Sequence, residues 1–289
     1  MVNRFQSLKL LLLNVGYANL DSRWSFNNVI SPFSRLYLIT EGKATVYHHG
    51  RKFDLLPGNM YLIPSFTYSS YHCDSMHTQY YVSFLEELGS GMSLYDFVDV
   101  NYQVEATDLD TLLFQKLLTI NPNRMLVNND PKQYDNRLTL KGFEEQNQQL
   151  NPSSYLETSG ILKVLFSKFI MDRPNFDDSK VLQPKLDRVL NYISENLHSD
   201  LRLKELADLS NISVDYFSKS FKKYMGVNPS RYIQDKRLER GLLLLLTTNL
   251  TVKEIANTIG FEAHQYFSRF FKERTGESPT EFRKENRAI

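Results

Sequence analysis

Apolar residues recur along this chain with two different periods. Between residues 35 and 84 they form short β-branched and aromatic runs: Leu36-Tyr37-Leu38-Ile39, Ala44-Thr45-Val46-Tyr47, Tyr61-Leu62-Ile63 and Gln79-Tyr80-Tyr81-Val82-Ser83-Phe84. Glu41-Gly42, His49-Gly50 and Pro57-Gly58 punctuate them as turns, which predicts the strands of a β-sandwich or barrel. Residues 10–30 are expected to add further strands. Beyond residue 85 the period lengthens. Residues 109–120 and 154–170 carry helical spacing, the second through Leu156, Ile161, Leu162, Leu165 and Ile170. Residues 121–151, rich in Asn and Gln, show no clear period. The polar run 171–180, with Pro174 and Asp177-Asp178, reads as a linker. From Lys185 onward the pattern is helical, starting with one apolar face of Leu186, Val189, Leu190, Ile193 and Leu197.

The helical part contains a repeat, residues 203–231 being rewritten with changes as 252–281. Ala207 matches Ala256 at an offset of 49. Tyr216-Phe217-Ser218, Phe221-Lys222, Gly226 and Pro229 recur at an offset of 50 as Tyr266-Phe267-Ser268, Phe271-Lys272, Gly276 and Pro279. The one-residue slip falls where a turn belongs. Thr251 and Glu254 form a capping box, each able to satisfy a free backbone N–H at a helix start. Asn228-Pro229 and Ser278-Pro279 each place a capping side chain before a proline at the first helical position. Gly226 and Gly276 end the preceding helices. A short helix, a turn and a second helix, written twice, is the pattern of a double helix-turn-helix.

The second helix of each copy divides into two faces. Val214, Phe217 and Phe221, and in the other copy Phe267 and Phe271, are expected in the core. Asp215, Ser218, Lys219 and Lys222 share the other face, repeated as Gln265, Ser268, Arg269 and Lys272. A recognition helix needs this split, because the apolar face fixes it while the polar face meets bases and phosphates. Arg269 suits a bidentate contact to guanine, Gln265 to adenine, and Lys219 and Lys222 suit guanine edges or phosphates. Asp215 repels phosphate. A single polar helix face is ordinarily just solvated; its duplication argues for a shared task. The connector, residues 229–246, would span roughly 27 Å as one helix. Successive major grooves lie about 34 Å apart, so tilt or DNA bending must supply the difference.

These residues resemble the DNA-binding domain of the AraC/XylS family of bacterial transcription regulators. The resemblance is densest at Ile255-Ala256, Gly260-Phe261, Tyr266-Phe267-Ser268-Arg269, Phe271-Lys272, Gly276, Ser278-Pro279 and Phe282-Arg283. It implies that Ser218, Lys219 and Lys222 face DNA from the first recognition helix, and His264, Gln265, Ser268 and Arg269 from the second. Three positions depart from the pattern. Arg202 stands where Thr251 caps the second copy. Ser210 replaces the apolar residue matching Ile259. Gly241 stands where the family usually has Ala, a change that weakens a helix by about 1 kcal/mol.

Toward the amino terminus, Arg35-Leu36-Tyr37-Leu38-Ile39, Glu41-Gly42, Leu56-Pro57-Gly58 and Leu62-Ile63-Pro64 resemble the cupin-like sensor domain of many such regulators. Enzymatic cupins hold a metal through a His-x-His pair, a Glu and a further His. Here His48 and His49 are adjacent and are expected on opposite faces of a strand, with His72 and His77 too sparse to complete a set. No metal and no other cofactor is expected. An aromatic pocket is expected instead, from Trp24, Tyr37, Tyr68 and Tyr80, with Arg35 and His72 as polar anchors; strand aromatics serve equally well as core. The helices at 109–120 and 154–170 resemble the family's dimerisation region, although their stripes could also pack on the barrel.

Composition narrows this further. A length of 289 residues favours two domains over one, and an apolar share of 42% is ample for their cores. The net charge of +1 is unevenly spread, with 18 Lys/Arg against 14 Asp/Glu from Lys185 onward, a net of +4 that leaves −3 for the rest. Cys73 is the only cysteine, which excludes an internal disulfide and a cysteine metal cluster. No apolar run is long enough for a membrane span or a signal-peptide core, so a cytoplasmic protein is expected. No phosphate-binding glycine loop, nucleophile elbow or zinc spacing appears.

The expected fold is α+β and multidomain. A cupin-like β-barrel occupies residues 1–90, a helical dimerisation and linker region 91–175, and an all-α double helix-turn-helix domain 180–289. The expected function is sequence-specific transcription regulation, in activator mode, by a homodimer. Its partners would be double-stranded DNA, a small-molecule effector and RNA polymerase. Two rivals stand beside it: a cupin enzyme fused to a DNA-tethering module, and an architectural DNA-binding protein without an effector.

Overall fold

The computed structural model describes residues 5–88, 93–171 and 179–286. The chain gathers into two units. One holds Gln6–Glu87 and Val98–Asp172; the other holds Arg173–Lys284 together with Leu88–Phe97.

The first unit is built on two antiparallel sheets. Strands β1 (Lys9–Asp21), β8 (Met76–Glu87), β3 (Ser34–Gly42), β6 (Asn59–Ile63) and β10 (Gln103–Glu105) form a five-stranded sheet in that order. Strands β2 (Phe26–Val29), β7 (Ser69–His72), β4 (Ala44–His48) and β5 (Arg51–Leu55) form the other. Trp24, Tyr37, Val46, Leu55, Tyr61, Tyr71 and Tyr81 are buried in one cluster within this unit. Six consecutive residues of β3, Ser34 to Ile39, are buried. β3 lies between β8 and β6, and its sheet is covered on its outer side too, so the two-residue alternation of a half-exposed strand is lost.

Helices α1 (Asp108–Ile120), α2 (Pro131–Tyr134), α3 (Arg137–Gln148) and α4 (Pro152–Ser167) supply that cover. Phe166 of α4 meets Phe84 of β8 with ring centroids 6.0 Å apart, and Phe114 of α1 meets Tyr80 at 5.8 Å. The segment without a legible period therefore contains two helices. Asn136 accepts from the Thr139 N–H at 3.1 Å, and Asn151 accepts from the Ser154 N–H at 2.9 Å with Pro152 opening α4. Part of the asparagine excess is thus helix capping, which masks periodicity with residues that favour turns. Within the region read as a linker, Met171 pairs with Asp99 through β11 (Ile170–Met171) and β9 (Asp99–Val100). Residues 172–178 of it lie outside the described residues.

The second unit is helical: α5 (Ser179–Glu195), α6 (Leu203–Leu209), α7 (Val214–Met225), α8 (Pro229–Thr247), α9 (Val252–Thr258), α10 (His264–Thr275) and α11 (Pro279–Glu285). Leu186, Val189, Leu190 and Ile193 of α5 are fully buried. Phe217, Phe221, Phe267 and Phe271 are too, whereas Val214, expected in the core, is 36% exposed at the first turn of α7. α9 starts with the Thr251–Glu254 capping box, while Arg202 caps α6 with no side-chain bond. Gly226 and Gly276 close α7 and α10 at φ 76° and 85°, left-handed values open to glycine without a Cβ penalty. The buried Ser210 hydroxyl donates to the Leu206 carbonyl at 3.2 Å, which satisfies it where Ile259 needs no partner. Gly241 has a packing reason. A Cβ there would lie 3.1 Å from Ile259 Cδ1 and 3.2 Å from the Phe267 ring, both in fully buried side chains, so its hydrogen lets the second motif seat directly on α8.

Candidate nucleic-acid interface

The two recognition helices, α7 and α10, present matching surfaces. Lys219 and Arg269 are exposed at equivalent positions, as are Lys222 and Lys272, and Ser218 and Ser268 are half-exposed. His264 is half-exposed at the start of α10 and Gln265 is exposed beside it. Among the described residues, Lys219, Lys222, Arg269 and Lys272 form no salt bridge to a carboxylate, which leaves four cations open to phosphates or bases. Ser218 Oγ donates to the Val214 carbonyl at 2.9 Å, so the hydroxyl can still accept a hydrogen bond. Asp215 lies in the first turn of α7, where a negative charge complements the free N–H groups of the helix start. That accounts for a carboxylate on this face without a DNA contact.

Reading the repeat for polar residues overlooks its exposed tyrosines. Tyr216 and Tyr266 are 51% and 43% exposed, each one residue before a fully buried Phe. In the second motif Tyr266 stands on Phe261 at 5.6 Å, and the Arg269 guanidinium lies 5.5 Å from the Tyr266 ring centroid. Phe261 is itself held against Phe267 and Phe270 at 5.3 and 5.7 Å. The tier pre-orients Arg269 over a rigid support. The first motif has Ile212 in place of Phe261 and Lys219 in place of Arg269.

Helix α8 fixes both motifs. Tyr232 packs on Phe221 of α7 at 5.5 Å. Asp235 pairs with Arg231 at 3.0 Å and also with Arg274 of α10. Arg237 donates to the Leu197 and Ser199 carbonyls at 3.0 and 2.7 Å, and Arg283 Nε donates to the Leu245 carbonyl at 3.3 Å. At 19 residues α8 spans about 28 Å.

The six residues expected to line an effector pocket do not converge. Trp24 and Tyr37 lie together in the β core, 6.3 Å apart, with Trp24 also against Tyr71 at 5.0 Å and His77 at 4.6 Å. Arg35 is buried and donates to Asp135 at 3.0 Å, to Tyr134 Oη at 3.2 Å and to Ser31. Tyr68 is half-buried. His72 is exposed between Ser25 and Asp74. Tyr80 bonds Gln115 at 3.3 Å and stacks near Tyr17 at 4.5 Å. Of the six, Trp24 alone reaches a cleft of about 520 Å³ lined by Asn19, Leu20, Asp21, Arg23, Phe26 and residues 127–130.

His48 and His49 do not point apart. His49 leaves the strand in a left-handed turn at φ 51°, which brings its Nδ1 within 3.0 Å of that of His48. Burial lowers His48 and His77 to about 4. Among the described residues no group of three or more His, Cys, Asp or Glu is placed to hold a metal ion.

Comparison with known proteins agrees with this geometry. Residues 206–285 match the family model of a helix-turn-helix domain. The Msm operon regulatory protein of Streptococcus mutans is 25% identical over 93% of this chain and 91% of its own length. The bifunctional transcriptional activator/DNA repair enzyme AdaA of Bacillus subtilis is 34% identical over 34% of this chain, which spans 46% of that relative. In fold, the chain resembles unsaturated fatty acid-bound ToxT of Vibrio cholerae with a TM-score of 0.53 at 14% identity, over 98% of this chain and 96% of that one. Together the fold and the paired helix-turn-helix surface define a DNA-binding transcription regulator. Its helix-turn-helix domain spans residues 206–285, and an antiparallel β unit precedes it.

Proposed function

We propose that the chain is a ligand-responsive activator that reads two adjacent major grooves. The matched cationic surfaces of α7 and α10, held on one connector helix, carry this reading. Ser218, Lys219 and Lys222 contact one half-site; His264, Gln265, Ser268, Arg269 and Lys272 contact the other. Arg269 and Gln265 read bases, and the lysines hold phosphates. ToxT, whose fold this chain resembles, is known with an unsaturated fatty acid bound, which supports a ligand-responsive reading here. Here the cleft beside Trp24 is the entry we assign to a small polar effector, since asparagines and charged groups share its lining with two aromatic rings. The exposed Leu109 and Leu112 of α1 and Leu156 and Val164 of α4 suit a homodimer contact. An activator acting in the cytoplasm would then present RNA polymerase with a DNA-bound dimer. Among the described residues no helix is long and apolar enough to cross a membrane.

A metabolite screen by thermal shift, followed by DNA titrations with and without each hit, tests the response. A true effector raises the unfolding midpoint and changes DNA affinity, and cognate DNA changes effector affinity by the same factor. Hits that stabilise the chain yet leave both DNA affinity and promoter output unchanged would contradict it.

A further inference from the structure

The helical unit contains a short piece of chain from far upstream. Residues 93–97 lie between β8 and β9 in sequence, yet they belong to the unit that carries both recognition helices. Ser93 caps a 3-10 turn, Leu94–Asp96, by accepting from the Tyr95 N–H at 3.3 Å. Leu94 is fully buried and Phe97 is 2% exposed. This is a docked element, since such apolar burial stabilises by amounts that fraying termini never gain.

Its polar contact falls on the connector. Asp96 accepts from Tyr232 Oη at 2.8 Å and pairs with Lys236 Nζ at 3.1 Å. Lys236 also pairs with Glu239 at 2.9 Å. The Lys236 and Asp96 side chains are only 14% and 11% exposed. Burial opposes the Lys236 charge, but Glu239 and Asp96 beside it hold the ammonium above its usual range. Tyr232 has two roles: its hydroxyl binds Asp96 while its ring packs on Phe221 of the first recognition helix. A path of two contacts, Asp96 to Tyr232 and Tyr232 to Phe221, therefore runs from the upstream segment through α8 to α7. On either side of this segment the chain continues into sensor strands, back into β8 and onward into β9.

We infer that Asp96 is a positioning residue for the DNA-reading surface: through Tyr232 and Lys236 it sets the placement of α8 and α7, and so links the sensor strands to the recognition helices. This rests on the DNA-binding reading above. Two consequences follow from the same contacts. A fragment starting at residue 180 lacks Asp96, so it is not the complete DNA-reading unit. An effector that shifts the start of β9 acts on α8 through the chain itself, a coupling in which both sites bias one packed element.

The test uses the full chain, as wild type, Asp96→Asn, Asp96→Glu and the exchange Asp96→Lys with Lys236→Asp. The first readout is amide hydrogen exchange along the whole chain without DNA. The second is affinity for a duplex selected in vitro by the wild type, against a random duplex of equal length. Asp96→Asn should speed exchange in α8 and α7 while leaving α1 and α4 protected. It should weaken selected-site binding about fivefold or more, with random-duplex binding within about twofold. Asp96→Glu should recover most of both. The exchange variant, if folded, should recover protection beyond that of Asp96→Asn. Unchanged α8 protection in Asp96→Asn overturns the docking role. Faster exchange with unchanged selected-site affinity overturns the link to DNA reading. A wild type that selects no sequence defeats the DNA-binding reading itself and the link with it, while the exchange readout still decides the docking.

Discussion

Arg269 and Gly241 show how single side chains set this surface. Arg269 lies on Tyr266, which lies on the buried Phe261, so the guanidinium is oriented before DNA arrives. Arg269→Ala is expected to cost about 1–3 kcal/mol at a cognate site and to relax specificity at one base pair, with random DNA affected much less. Tyr266→Leu should produce a smaller loss in the same direction, because it removes the support but keeps the charge. Equal weakening on cognate and random duplexes would make Arg269 a phosphate contact only. Gly241 tests packing against propensity. Helix propensity alone favours Gly241→Ala by about 1 kcal/mol. Crowding against the fully buried Ile259 and Phe267, which must each shift by a few tenths of an ångström, is expected to cost about 1–3 kcal/mol. The unfolding midpoint is therefore expected to fall, and a clear rise would refute the packing explanation.

At the scale of elements, the legibility of the sequence tracked how far local chemistry decides structure. The repeated helices, the Thr251–Glu254 box and the glycine stops were readable because capping residues and 3.6-residue periodicity act within a few positions. The helix at 137–148 was not, because Asn136 looks like a turn residue while serving as its cap. The pairing of His48 with His49 escaped for a related reason: a left-handed turn residue breaks the strand's alternation. Long-range pairs such as Arg35 with Asp135 and Asp96 with Lys236 join residues about a hundred positions or more apart, and no local pattern announces them. The six effector-pocket candidates share an aromatic or polar residue type, and residue type does not say which face of a sheet is enclosed.

The β elements also carry a pH dependence. His77 is fully buried and His48 nearly so, and burial lowers both from 6.5 to about 4. Unfolding lets each bind a proton near pH 6.5, whereas the folded state resists until about 4. The stability they contribute is complete above pH 6.5 and is lost as pH falls through that window. These two histidines by themselves lower the stability of the β unit as pH falls from 7 toward 4.5, against the opposite contribution of the buried Asp135, which burial raises to about 6. His77→Gln should flatten that slope in pH-dependent denaturation curves; an unchanged slope would remove His77 from the account.

At the scale of the whole molecule, we propose that one chain places two recognition helices on adjacent major grooves. The connector makes this geometric: α8, about 28 Å long, holds α7 through Tyr232 and α10 through Asp235. Adjacent grooves on one DNA face lie about 34 Å apart, so modest tilt or bending completes the match. The most direct measurement is footprinting and affinity on the selected duplex, with and without about five base pairs inserted between the two half-sites. The insertion turns one half-site to the opposite face of the helix. The account predicts that protection of one half-site disappears and affinity falls sharply, while about ten inserted base pairs restore facing but overreach the connector. Equal affinity and two intact footprints with the five-base-pair insertion would contradict it.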